Sequence, residues 1–324
     1  MKADIVLTFD YEIFFGEKSG SFENCIYYPV EKIRKTMRKN NVKGIFFIDI
    51  LYYIELCKYE KLSQKALLMK EQIQNLVKDG HRIELHLHPH WLNSEYIDEK
   101  WNFKYNKYRF DQLSIEERDY IFYIGITTLS NIIKEVDPDY ELKGYRAGGW
   151  CIQPFENFYP YFKKYNLKYD SSIIPGISMT GEGHKFDYSE IPLKQGYRFS
   201  QHIEIEEERG EFIEYKLSQY IYTFIDRIIN KITGFFVDNK QYGDGIAMEM
   251  EQNTSLITKI IDKLKSKKVV YNLEGTKNKK LFLKKISKDK SKYIVFLSHP
   301  KMMNNHGISL IEELKNNGYN FKTF

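Results

Sequence analysis

Ile5-Val6-Leu7-Thr8-Phe9-Asp10-Tyr11-Glu12 is an apolar run of strand type that ends in two carboxylates. In extended backbone, residues two apart share a face. Asp10 and Glu12 therefore point together, while Ile5, Leu7 and Phe9 face the opposite way. Two carboxylates on one face repel, and one of them takes up a proton unless a cation sits beside them.

The same form recurs at residues 44–50, 82–87, 142–146 and 293–297, each an apolar segment followed by a turn or a helical pattern. Residues 63–77 read as an amphipathic helix stopped by Lys78-Asp79-Gly80. Ser114-Ile115-Glu116-Glu117 is a capping box, and an apolar helical pattern follows it to about Val136. Strand and helix in alternation predict a parallel α/β architecture. Residues 176–209 break the rhythm with turns at Gly181-Glu182-Gly183-His184 and Lys194-Gln195-Gly196, and read as an excursion from the main fold. With no internal repeat and no Pro- or Ser-rich linker, residues 1–324 are expected to form a single domain.

Reactive side chains gather at the C-terminal ends of the predicted strands, the rim where α/β proteins build their sites. His86-Leu87-His88-Pro89-His90 places three histidines in five residues. Packing explains such a cluster poorly, because each buried imidazole needs hydrogen-bond partners, whereas neutral imidazole is a common ligand for divalent transition metals. His86 and His88 share a face in extended chain, so a His86/His88 ligand pair stands open. Arg146 precedes the glycine turn Gly148-Gly149, Asp170 lies in Tyr169-Asp170-Ser171-Ser172, and His299 stands before Pro300. Each of these is weak alone; a cap, a surface ion pair or a solvated charge would account for any one.

In their order, these segments resemble the polysaccharide deacetylase family (NodB homology, carbohydrate esterase family 4) over almost the whole chain. Thr8-Phe9-Asp10 matches that family's Thr-Phe-Asp-Asp motif, with Tyr11 in place of the second Asp. Gly80-His81 leads to His86 and His90, similar to its His-x-x-x-His motif. Arg146 matches the start of Arg-x-Pro, with Gly148 at the proline position. Tyr169-Asp170-Ser171-Ser172 and Leu297-Ser298-His299 resemble the last two motifs. The resemblance implies a distorted parallel (β/α) barrel of the NodB-homology type. It implies a divalent metal held by Glu12, as in the Asp-x-Glu variant of the first motif, with His86 and His90. Zinc suits those ligands, and cobalt, nickel or iron would also serve. By the same pattern Asp10 is the general base, paired with Arg146, and His299 the general acid, oriented by Asp170, while His88 is left to contact substrate or support the ligands. The reaction implied is removal of an N-acyl group from an amino sugar.

Composition limits the setting. Hydrophobic residues make up 42% and charged residues 29%, the balance of a globular chain rather than a disordered one. Net charge is only +5, much of it from the lysines of residues 263–292, and no basic motif argues for nucleic acid. Cys25, Cys57 and Cys151 have no short spacing suited to a thiolate zinc site. The first residues carry no secretory apolar core, and the stretches at 120–133 and 221–237 are interrupted and too short to span a bilayer. The expectation is a cytoplasmic protein without an integral membrane segment. Its substrate is then expected to be a small-molecule, nucleotide-linked or lipid-linked amino sugar in surface-polysaccharide synthesis. A metal-dependent amidase acting on a non-sugar amide and a non-catalytic carbohydrate-binding homologue are the rival readings. A glycosidase using Asp10 and Glu12 is disfavoured, because it gives three clustered histidines no task.

Overall fold

Alternation of buried strands with amphipathic helices produces a curled mixed sheet in the computed structural model, which describes residues 2–248 and 265–324. The sheet has eight strands. Ile45–Asp49 is flanked on one side by Asp4–Tyr11 and Tyr293–Ser298 and on the other by Arg82–Leu87, Gly144–Ala147 and Tyr169–Asp170. All these neighbours run parallel. Ile5, Leu7, Phe9, Phe46, Ile48, Ile83 and Leu85 are fully buried in the main core, as near-continuous apolar runs in a covered parallel sheet should be.

Helices Tyr28–Lys39, Ile50–Cys57, Ser63–Lys78 and Ile115–Lys134 cover the sheet. The capping box read at Ser114 is present: Glu117 N donates to Ser114 Oγ at 3.2 Å, and Ser114 N donates to Glu117 Oε2 at 3.1 Å.

The strip expected to leave the main fold at 176–209 only partly does so. Ser178–Thr180 and Lys185–Asp187 form a separate hairpin, but Tyr197–Phe199 returns to the sheet edge, antiparallel to Phe212–Glu214. Phe212–Glu214 in turn lies parallel to Tyr169–Asp170. Between the Ser171–Ile174 segment and the last strand the seam is bridged by single bonds. Leu217 N donates to Ile173 O, Ser218 N to Val295 O and Tyr271 N to Ser218 O. The result is a half-barrel in which the strand ends carrying the reactive residues face one rim.

Candidate metal and catalytic site

Three ligand-type atoms meet where the first and third strands end. His88 Nε2 lies 2.6 Å from Glu12 Oε2, His86 Nε2 lies 3.1 Å from the same oxygen, and the two imidazole nitrogens are 3.0 Å apart. Glu12, His86 and His88 are all buried, and their ligand atoms lie within 4.8 Å of one another. His86 Nδ1 is 2.8 Å from Arg146 O. A carbonyl oxygen only accepts, so Nδ1 carries the proton and Nε2 is left to face the cluster. Burial pushes the Glu12 carboxyl up, but Lys301 and the two histidines pull it well below its ordinary range. Burial opposes charge on both imidazoles. Glu12, Asp10 and Asp49 outweigh it at His86, whose pKa is raised, while His88 falls to about 4. A buried carboxylate beside two imidazoles holds a proton that a divalent cation would displace.

His90 is not brought to this cluster. The reason is local. His88 still has extended backbone, φ −108° and ψ 99°, so it keeps the two-residue alternation with His86. Pro89 then opens the 3₁₀ turn Pro89–Asn93, which ends the alternation before His90. The His90 ring stacks on Tyr108 at 5.5 Å and on Trp91 at 5.4 Å, and meets the Phe15 ring edge-on at 4.6 Å. Neither of its nitrogens has a hydrogen-bond partner among the described residues. Burial, with His88 adding to it, holds its pKa well below the imidazole range.

Asp10 takes Arg146 Nη1 at 2.5 Å on Oδ1. The guanidinium is fully buried, donates further to Ser171 O at 2.7 Å, Thr8 Oγ1 at 2.9 Å and Ser171 Oγ at 3.0 Å, and lies over the Phe47 ring. His299 comes to the same place from the last strand, with Nε2 3.6 Å from Asp10 Oδ2. Its orienting carboxylate is Glu274, whose Oε1 accepts from His299 N at 3.1 Å and lies 3.4 Å from Nδ1.

Asp170, expected to orient His299, is occupied elsewhere. Its oxygens accept from Ser172 N and Ser172 Oγ, each at 2.8 Å, and its strand neighbour in register is the buried Glu214. Burial raises both carboxyls, Asp170 to about 6 and Glu214 well above its ordinary range, with Asp170 adding to the rise at Glu214. Both folded values lie above the unfolded ones, so this pair stabilises the fold fully below about pH 4 and loses that contribution as pH rises through 6 and beyond. Glu214→Gln, which removes one ionisation and keeps an oxygen for Ile173 N, is expected to flatten that decline. Urea midpoints at pH 5 and pH 8 measure it. An equal fall in variant and wild type would place the effect elsewhere.

Three further residues complete the site. Lys301 Nζ donates to Glu12 Oε1 at 2.7 Å and to Ile13 O at 2.8 Å. Glu274 comes from a loop with no motif of its own. Asp49, paired in register with His86, takes the Trp91 Nε1–H at 2.7 Å and is raised by burial to about 7, against the pull of His86. Two of them carry a local signal in the sequence: Asp49 ends the strand Ile45–Asp49, and Lys301 stands two places after His299.

Gly148 and Gly149 shape the opposite wall. A Cβ on Gly148 would come within 2.8 Å of His88 Nδ1 and 2.5 Å of Leu87 O, so glycine here makes room for the His88 ring. Gly149 has φ +60°, and its Cβ would meet Tyr108 at 2.7 Å. Gly148→Ala should displace the His88 ring and weaken metal binding by about 10-fold or more, the range seen when support for a ligand is lost. Titration with a divalent metal would show it, and unchanged affinity would mean that His88 is not the nitrogen that matters. The cavity in front of these groups has a volume of about 320 Å³ and is lined by Asp10, Glu12, His86, His88, His299 and Lys301, with Tyr108, Trp150 and Met248.

No family model and no curated protein matches the sequence. In fold the chain is similar to solved structures named as polysaccharide deacetylases and as a related pseudoenzyme. A Mycobacterium smegmatis protein assigned as a polysaccharide deacetylase is 14% identical with TM-score 0.45, covering 99% of this chain and 86% of its own. A polysaccharide deacetylase from Bacillus cereus is 10% identical with TM-score 0.39, covering 100% and 92%. A family 4 carbohydrate-esterase pseudoenzyme from Bacillus anthracis is 9% identical with TM-score 0.38, covering 99% and 63%.

Proposed function

We propose that this protein is a metal-dependent hydrolase that removes an N-acyl group, acetyl in the simplest case, from an amino sugar. The observation that carries the reading is the convergence of Glu12 Oε2, His86 Nε2 and His88 Nε2 beside an Arg146-held Asp10 and a carboxylate-held His299. One carboxylate and two imidazoles suit zinc, with cobalt, nickel or iron as alternatives. The bound metal would supply polarisation of the acyl carbonyl and a more acidic water.

The remaining steps belong to the chain. Arg146 aims the Asp10 carboxylate, which takes the proton of the attacking water as general base. Gly149, at φ +60°, and Trp150 lie on the cavity wall, and a backbone N–H of this turn would meet the developing oxyanion. His299, held through Nδ1 by Glu274, gives a proton from Nε2 to the departing amine. Lys301 neutralises part of the carboxylate charge at Glu12 and fixes that side chain in place.

A cavity of about 320 Å³ admits one sugar ring, and the proposed substrate is a nucleotide-linked or lipid-linked amino sugar. Purified protein is expected to hold about one divalent metal per chain and to release acetate from one member of a panel of N-acetylated sugar nucleotides, read by mass spectrometry. Metal without turnover on sugars, but with turnover on simple amides, would favour an amidase. Neither metal nor turnover would favour a carbohydrate-binding protein.

A further inference from the structure

Helix Phe224–Gly234 is mounted with its polar side inward. Among its residues only an aspartate, Asp226, is buried. Lys285 Nζ donates to Asp226 Oδ2 at 2.6 Å, Lys277 N and Asn278 N donate to Asn230 Oδ1 at 3.0 Å, and Asn278 Nδ2 donates to Thr233 Oγ1 at 3.0 Å. The apolar side faces out. Ile225 is 66% exposed, Ile232 54%, Phe235 77% and Phe236 82%, with Ile228 and Ile229 between them. A helix that serves only its own fold turns the other way, and a contiguous exposed apolar face marks a contact surface.

The surroundings indicate what that contact is. Between Lys265 and Lys292 stand eleven lysines against only Glu274 and Asp289. In a two-stranded antiparallel ladder Lys267 and Lys268 pair with Tyr222 and Ile221, on the strand that leads into the helix, and Lys231 is exposed on the helix itself. Lys280, Lys284 and Lys288 are exposed on or beside the neighbouring helix. The rest of the chain is acidic on balance, since its total is only +5. An apolar helix face bordered by lysines is the chemistry of an anionic bilayer surface, into which such a face sinks while the ammonium groups meet lipid phosphates. No described helix is long and apolar enough to cross a membrane, so this contact lies on the surface.

We infer that helix Phe224–Gly234 and the Phe235 and Phe236 that follow it, with their lysine border, dock the protein on anionic phospholipid membranes. This docking does not depend on the deacetylase reading; only together with that reading does it favour a lipid-linked amino sugar as the substrate form. The test is co-sedimentation with phosphatidylcholine vesicles with and without phosphatidylglycerol. Wild-type protein should pellet with the phosphatidylglycerol vesicles, far less with phosphatidylcholine alone, and less as salt rises. Ile225→Ser with Ile232→Ser, and separately Lys267→Glu with Lys268→Glu, should each weaken binding by about tenfold or more while leaving the melting midpoint in place. Absence of wild-type binding to phosphatidylglycerol vesicles would overturn the inference, as would unchanged binding in both variants. A wild-type dimer that Ile225→Ser with Ile232→Ser converts to monomer would assign the face to a second copy instead. Sedimentation is read without turnover, so its failure and that of the proposed catalysis are told apart.

Discussion

His88→Ala is expected to abolish stoichiometric metal binding and activity together, while His90→Phe keeps both. His88 Nε2 is 2.6 Å from Glu12 and 3.0 Å from His86, so its loss leaves one carboxylate and one imidazole, too few to hold a divalent ion in place. His90 offers the opposite case. Its ring fills an aromatic box of Phe15, Trp91, Phe103, Tyr105 and Tyr108, and both nitrogens are buried without partners among the described residues. Each such group carries a desolvation cost of about 1–3 kcal/mol, which a phenyl ring removes, offset in part by the crowding of its larger ring. His90→Phe should therefore remain folded, close to wild type in stability, and retain metal. Metal analysis of the two purified variants settles the ligand set. Loss of metal in His90→Phe would restore the His86/His90 pair.

That pair shows where sequence reasoning reached its limit. Period-two alternation was enough to place Ile5, Leu7 and Phe9 in the core and to set Asp10 and Glu12 on the other face, because a strand's side chains alternate without regard to the rest of the fold. The same rule leaves a His86/His88 pair open. The family spacing of His-x-x-x-His points instead to His90, but Pro89 lies between and opens a turn, and it is His88 that stands beside Glu12 and His86. Glu274 and Glu214 were illegible for a different reason. Glu274 meets His299 across 25 positions and Glu214 meets Asp170 only through strand pairing, so their roles exist only once the sheet has curled. Asp170 kept its place at a strand end, but Ser172 and Glu214 take the contacts that His299 would have needed.

Asp10→Asn is expected to keep the metal and to lower acyl hydrolysis by about 10²–10⁴-fold, the usual cost of losing a general base. The amide is nearly isosteric, and its oxygen still accepts from Arg146 Nη1, now 2.5 Å from Asp10 Oδ1. It cannot take a proton from water. A control for folding is needed, because the substitution leaves the fully buried Arg146 without a counter-charge, a loss that costs on the order of 3–5 kcal/mol when a buried pair is broken outright. Donation to Thr8, Ser171 and the retained amide oxygen should reduce that cost, so the melting midpoint falls but the protein remains folded. Glu12→Ala gives the complementary result, with metal and activity lost together. If Asp10→Asn purifies without metal, Asp10 is itself a ligand and the two carboxylates have exchanged roles. If Asp10→Asn keeps full activity, the proton goes elsewhere, and His299, 3.6 Å from Asp10 Oδ2, becomes the base.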